Sequence, residues 1–88
     1  MTAESLIVDR VLDLVLGVAG PARRPADAGP DTPLGDGGFW LDSVDLVEVA
    51  VACEHEFAVL FEGEADLTPE TLATARSLAG LIAGKRPR

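Results

Sequence analysis

The sequence lacks several features that stabilise small domains or indicate a common class of function. It contains a single cysteine, Cys53, which excludes an internal disulfide and a CxxC zinc pair and fits a reducing compartment. No apolar run approaches the length of a membrane span. The first ten residues lack a basic segment followed by a continuous apolar stretch. We therefore expect no secretory signal, and a cytoplasmic protein that does not contact membranes.

Basic residues are absent from the middle half of the chain. Residues 27–70 hold twelve of the fifteen acidic residues and no Lys or Arg. A formal net charge of −8 over 88 residues disfavours nucleic-acid partners and favours proteins with basic surfaces. Leu, Ile, Val and Phe together supply 26 residues, which is too many for a disordered acidic tail. We predict one small folded domain over residues 1–88, with a core at about 3–83 and a frayed basic tail at 84–88.

Apolar spacing predicts an amphipathic first helix over roughly residues 3–18. Its core stripe has the spacing of one helical face and consists of Ile7, Val11, Leu14, Val15 and Val18. Gly17, Gly20 and Pro21 are expected to end this helix. Residues 20–38 contain four prolines and five glycines, which predicts a long loop rather than a regular element.

The second helix is predicted to start at Asp42 or Ser43 and to run to about Phe57. At 100° per residue its core stripe comprises Leu46, Val49, Ala50, Cys53 and Phe57, so Cys53 is expected to be a small buried apolar residue. The opposite face carries Val44, Val47 and Val51 together with Glu48 and His55. Because one apolar face suffices for packing, the second predicts a docking surface for another protein. The alternative is that Val44 and Val47 only cover residues 38–41.

A short helix and a last helix complete the predicted fold. Thr68-Pro69-Glu70 combines a hydroxyl cap, a first-turn proline and a first-turn acid, which predicts a brief helix through Leu72 after a connection over 58–67. Thr74 is expected to cap the last helix, which Gly84 ends. Its apolar face consists of Ala75, Leu78, Leu81 and Ile82. The predicted fold class is all-α: a small four-helix bundle, with three main helices, one short helix and a long first loop.

Ser43 stands at the start of the second helix, behind the glycine-rich approach at residues 37–41. A helix N-terminus has unpaired N–H groups and the positive end of the helix dipole, so it tolerates a phosphate. Ser43 is therefore a suitable attachment point for a phosphodiester. Helix capping alone also explains an Asp-Ser pair at this position.

The spacing of the candidate residues excludes several other kinds of catalytic and binding site. Ser43 and His55 are about 18 Å apart along one helix, too far for a hydrolase triad. Residues 31–40 lack the ligands of a calcium loop, and residues 35–38 lack the lysine of a phosphate loop. Cys53 and His55 point in different directions, so no metal site is predicted.

The segments Leu41–Val49 and Ala52–Phe57 resemble the acyl carrier protein and peptidyl carrier protein family. In that family an Asp-Ser-Leu triplet opens the second helix, and a Glu-Glu-Phe-like sequence closes it. The segments Asp66–Leu72 and Thr74–Ile82 resemble the family's short third helix and its fourth helix. The resemblance extends from residue 6 to residue 82 and is strongest around the second helix.

The resemblance implies a non-catalytic carrier. Ser43 matches the serine to which a phosphopantetheinyl transferase attaches 4′-phosphopantetheine from coenzyme A, as an arm whose thiol holds an acyl or aminoacyl group as a thioester. The second helix matches the family's recognition helix, whose acids meet basic patches on the transferase, the loading enzyme and downstream synthases. The matching recognition positions are Asp42, Val44, Val47, Glu48 and Val51, with His55 on the same face. We expect a monomer that binds neither metal nor nucleic acid.

Three departures from the family pattern bear on the pathway. Val44 replaces the usual Leu after the serine, His55 stands where an acid is common, and Trp40 makes the approach to the serine more aromatic. They favour a discrete carrier of specialised polyketide or nonribosomal metabolism over one of primary fatty acid synthesis. Trp40 is interpreted as packing the first loop onto the bundle, rather than as shielding the carried group. The alternative function is a small acidic helical interaction module without a prosthetic group.

Overall fold

The computed structural model describes residues 3–85 and contains four α-helices in this range. They are α1 (Ala3–Ala19), α2 (Ser43–Phe57), α3 (Gly63–Asp66) and α4 (Ala75–Lys85). Within residues 3–85 the only extended pairing is one isolated bridge between Pro33 and Thr74. The predicted all-α bundle, with three main helices and one short one, is confirmed. None of the helices in this range has both the length and the apolar character needed to cross a membrane.

The core forms where α1 packs against α2 and α4. The predicted stripe of α1 is confirmed, since Ile7, Val11 and Val15 are buried and the other two members are partly buried against the core. The stripe of α2 is confirmed in the same way by Val49 and Cys53. Each fully buried aliphatic side chain contributes about 1.5–3 kcal/mol relative to an exposed one. One face of each main helix therefore stabilises the bundle.

The long first loop is ordered by hydrogen bonds and by two buried anchors. It contains one 3₁₀ turn, Pro21–Arg23, and otherwise no helix, as predicted. Leu34 and Phe39 are fully buried, and the Leu34 N–H donates to the Ala73 carbonyl at 2.9 Å. Trp40 is 61% exposed, so the interpretation that it packs the loop onto the bundle is wrong. Phe39 does this instead, because its side chain is fully buried in the core.

The short helix lies earlier in the chain than predicted. It occupies Gly63–Asp66, inside the segment expected to be a plain connection. Residues 68–72 form a hydrogen-bonded turn, in which the Leu72 N–H donates to the Thr68 carbonyl at 3.0 Å. The Thr71 hydroxyl donates to the Asp66 carbonyl at 2.6 Å. Threonine hydroxyls thus bond the nearby backbone and stop the turn from continuing as a helix.

The ends of the two terminal helices also differ from the prediction. Gly17 and Gly84 lie inside α1 and α4 rather than ending them, because tertiary packing outweighs the cost of about 1 kcal/mol for a helical glycine. The Thr74 cap is confirmed, since its hydroxyl accepts from the Ser77 N–H at 3.1 Å. Lys85, predicted as tail, belongs to α4 and lies 2.7 Å from an Asp66 carboxylate oxygen. The rest of the predicted tail, residues 86–88, lies outside the described residues.

Ala58 follows α2 with φ 54° and ψ 46°, a left-handed conformation that favours glycine. We expect Ala58→Gly to raise the free energy of unfolding by about 1 kcal/mol, because glycine adopts this conformation without strain. Urea unfolding followed by circular dichroism measures the change. Ala52→Gly, the same substitution inside α2, should instead lower the free energy of unfolding by about 1 kcal/mol. Equal destabilisation by both substitutions would contradict the prediction.

Candidate functional site

The N-terminus of α2 is closed by a pair of aspartates. The Asp45 N–H donates to the Asp42 carboxylate at 2.9 Å, and the Asp42 N–H donates to the Asp45 carboxylate at 3.1 Å. This reciprocal capping box pairs two N–H groups at the N-terminus. Ser43 is exposed, and its hydroxyl makes no hydrogen bond within residues 3–85. Of the two predicted cap residues, Asp42 is therefore the cap, and capping does not require Ser43.

Arg23 connects the first loop to this capping box. Its guanidinium lies 2.6 Å from an Asp45 carboxylate oxygen and donates to the Ala19 and Val18 carbonyls at 3.1 and 3.3 Å. Arg23 thus joins the C-terminal end of α1 to the N-terminal end of α2. The role of Arg23 is not predicted from the sequence, because no local pattern indicates a contact with a residue 22 positions along the chain.

The Arg23 contact changes the titration of Asp45. The hydrogen bond from Arg23, followed by the bond from the Asp42 backbone, holds the pKa of Asp45 below its ordinary value of 3.8. The ionised Asp45 therefore stabilises the fold above about pH 4. This contribution is lost as the pH falls toward the lowered pKa, because the folded state binds the proton less readily than the unfolded state.

We expect the stability difference between the wild type and Arg23→Met to narrow as the pH falls from 7 to 3. Protonation of Asp45 removes the charge that Arg23 pairs with, so the substitution then costs less. Urea unfolding at several pH values measures this difference. Arg24→Met is the matched control, because Arg24 is exposed and has no ion pair within residues 3–85. The prediction would be contradicted if the free energies of unfolding of the wild type and Arg23→Met differed by the same amount at every pH in this range.

The second apolar face of α2 is open to solvent. Val44, Val47 and Val51 are 66%, 58% and 44% exposed, so the alternative in which Val44 and Val47 only cover residues 38–41 is wrong. We call these three valines the valine face. Glu48 is exposed and makes no ion pair within residues 3–85, whereas the carboxylate of Asp42 accepts only its capping bond. The valine face therefore lies beside two acids that form no ion pair within residues 3–85, although Arg23 interacts electrostatically with both.

Two arginines, Arg10 and Arg76, are paired with carboxylates outside this face. Arg10 binds Glu56 through two hydrogen bonds of 2.9 and 3.2 Å, and Arg76 binds Asp31 through two of 2.7 and 3.1 Å. These contacts lower the pKa values of Glu56 and Asp31. The cations of these two pairs therefore form no ion pair with Asp42 or Glu48.

An apolar cleft opens beside Ser43, between α2, α3 and the turn at 68–72. It has a volume of about 340 Å³ and is lined by Ser43, Leu46, Val47, Gly63, Glu64, Leu67 and Leu72. The lining is apolar apart from Ser43, Gly63 and Glu64. This cleft is not predicted from the sequence, although the leucines at 67 and 72 lie outside every predicted core stripe. Ser43 stands at its rim, so a group attached to the serine can reach apolar surface.

His55 and Cys53 do not take part in this arrangement. His55 is exposed near the C-terminal end of α2, twelve residues from Ser43. Cys53 is fully buried, as predicted, and burial raises the pKa of its thiol to about 12, which keeps the thiol protonated. In residues 3–85 no three His, Cys, Asp or Glu side chains come together as possible metal ligands.

The structure thus brings Ser43, Asp42, Val44, Val47 and Glu48 together in the first turns of α2. Val51 continues the same face, and His55 lies at its far end. Comparisons of the chain with protein-family models, with curated proteins and with solved structures give no match. The functional interpretation therefore depends on the residues of this site.

Proposed function

We propose that this chain is a carrier protein on which Ser43 bears a 4′-phosphopantetheine arm. The observation that carries the proposal is the Ser43 hydroxyl, which is exposed at the first residue of α2 while Asp42 and Asp45 complete the helix cap without it. Helix capping is the other explanation for a serine at this position. It does not apply here, because Asp42 and Asp45 form the cap and Ser43 takes no part in it. The resemblance of the sequence around Ser43 to the carrier family points to the same residue.

The N-terminus of α2 fits a phosphodiester. The backbone N–H groups of Ser43 and Val44 have no acceptor within residues 3–85, and they lie at the positive end of a 15-residue helix dipole. These two donors would bind the phosphate oxygens. The thiol at the end of the attached arm would hold an acyl or aminoacyl group as a thioester. The apolar cleft beside Ser43 offers a surface for the apolar part of that group.

The attachment step uses Ser43 as a nucleophile within a transferase. Ser43 Oγ attacks the phosphorus of coenzyme A that carries the pantetheine. The Oγ–P bond forms, the pyrophosphate P–O bond breaks, and adenosine 3′,5′-bisphosphate leaves. The hydroxyl proton passes to a base of the transferase, since residues 3–85 place no histidine near Ser43.

The proposed partners are proteins with basic docking patches. They are the transferase, the enzyme that loads the acyl or aminoacyl group, and downstream synthases or transferases of specialised polyketide or nonribosomal metabolism. The valine face with Asp42 and Glu48 supports this, because it combines exposed apolar area with two exposed carboxylates that form no ion pair within residues 3–85. The carrier would act in the cytoplasm, as a monomer. Primary fatty acid synthesis remains the alternative pathway.

A second candidate is an acidic interaction module without a prosthetic group. The exposed valine face favours it, because such a face can bind a partner without any modified serine. The two functions differ in one measurable property, which is the covalent change at Ser43.

Intact-mass measurement after incubation with coenzyme A, magnesium and a broad-range phosphopantetheinyl transferase tests the carrier function. We expect the wild type to gain one phosphopantetheine and Ser43→Ala to gain none. Ser5→Ala is the matched control and should be modified like the wild type, because Ser5 lies on α1. Absence of a mass gain on folded wild type would favour the interaction module. A gain on Ser43→Ala would reject Ser43 as the attachment site.

A further inference from the structure

Trp40 has a conformation that its own side chain disfavours. Its φ is 57°, in the left-handed region where glycine is common and a bulky residue is rare. The indole is also 61% exposed, although Phe39 and Leu41 on either side are buried. Neither the backbone conformation nor the exposure of a large aromatic side chain favours folding. Because both features cost folding free energy, Trp40 is a candidate for a functional residue.

The surrounding loop imposes this conformation. The N–H groups of Phe39, Trp40 and Leu41 donate to the carbonyls of Pro33, Gly35 and Leu34, each at 2.9 Å. These three consecutive bonds, with the buried side chains on both sides, hold the backbone of Trp40 in place. The indole therefore projects from a rigid support rather than from a loose loop, and little conformational entropy is lost when a partner contacts it.

Two exposed carboxylates lie close to Trp40 in the sequence. Asp36 and Asp42 are both exposed, four residues before and two residues after Trp40. An arginine or lysine of a partner can lie against the indole face and also interact with a nearby carboxylate. Trp40 is three residues from Ser43, so their Cα atoms lie within about 11 Å of each other. A protein large enough to enclose Ser43 therefore also approaches the backbone of Trp40.

We propose that Trp40 is a recognition contact for the transferase that modifies Ser43, and that a basic side chain at the rim of the transferase's coenzyme A site stacks on its indole. This inference rests on the proposed function. Coenzyme A carries a pyrophosphate and a 3′-phosphate, so a protein that binds it surrounds it with Arg or Lys. Ser43 must reach that pyrophosphate, which brings Trp40 against the basic rim.

The rate of modification tests the inference. We expect Trp40→Asn to lower kcat/KM for phosphopantetheinylation about ten-fold, mainly through KM, because a stacked cation contributes to binding. Asparagine tolerates the left-handed conformation, so the variant should be at least as stable as the wild type. Trp40→Phe should retain most of the rate. Leu60→Ala is the control, because Leu60 is 78% exposed and lies beyond the opposite end of α2.

A direct probe of the contact is available because Trp40 is the only tryptophan in the chain. Ser43→Ala labelled with 5-fluorotryptophan should give a single ¹⁹F resonance, which should shift or broaden when the transferase and coenzyme A are added. An unchanged kcat/KM for Trp40→Asn, with the wild type modified normally, would overturn this inference alone. Failure of the wild type to be modified would instead overturn the proposed function.

Discussion

Gly38→Ala is expected to lower the free energy of unfolding by about 3 kcal/mol, because the loop leaves no room for a side chain at this position. A Cβ atom on Gly38 would lie 2.8 Å from the carbonyl carbon of Pro33 and closer still to its oxygen. The same carbonyl accepts the hydrogen bond of the Phe39 N–H. The carbon and the oxygen of this carbonyl both belong to the backbone. The steric clash can therefore be removed only if the loop moves and Phe39 leaves its buried site.

Urea unfolding measures this effect, and Gly35→Ala is the matched control. A Cβ atom on Gly35 would meet nothing within 4 Å, so its replacement should change the free energy of unfolding by less than about 0.5 kcal/mol. The loop movement in Gly38→Ala should also slow modification of Ser43, because residues 39–42 lead directly to the cap of α2. Wild-type stability of Gly38→Ala would show that the loop has room for a methyl group.

Glu48→Lys is expected to reduce the turnover of the carrier by its partner enzymes about ten-fold. Glu48 is exposed beside the valine face and has no ion pair within residues 3–85, so the fold does not depend on its charge. A lysine there would face the basic patch of a partner, and like charges across an interface slow association and weaken binding. The effect should appear mainly in KM and should decrease as the salt concentration rises.

Asp9→Lys provides the control for Glu48→Lys. Asp9 is an exposed acid on α1, outside the proposed docking surface, and its replacement changes the net charge equally. Turnover should then be close to that of the wild type, and circular dichroism should show unchanged helicity for both variants. Equal losses of turnover in the two variants would mean that net charge, rather than the surface of α2, governs partner binding.

The helical core could be predicted because it depends on local spacing. Ile7, Val11 and Val15 are buried because a 3.6-residue repeat brings them to one side of α1. The same repeat separated Val49 and Cys53 from the valine face. The short helix was predicted too late in the chain, because Thr68-Pro69-Glu70 has the residue types of a helix start. In the structure, the Thr71 hydroxyl instead bonds the backbone of the preceding residues.

The candidate site was predicted in part. Spacing and resemblance pointed to Ser43, to the valine face and to Glu48, all of which the structure places on the accessible side of α2. Neither indicated that Trp40 faces solvent while Phe39 enters the core. That outcome depends on the hydrogen bonds of residues 33–41 and on the space available in the core, which a helical repeat does not describe.

The sequence by itself determined the helical repeats, the acidic middle of the chain and the serine at the start of α2, because each depends on residues that are neighbours in the chain. Only the tertiary structure decided that Asp42 caps the helix without Ser43, that Arg23 reaches Asp45, and that a cleft opens between α2 and α3. These features join residues that are distant in sequence or depend on side-chain geometry. Their positions are set when the helices pack, and packing depends on the shape of the whole core.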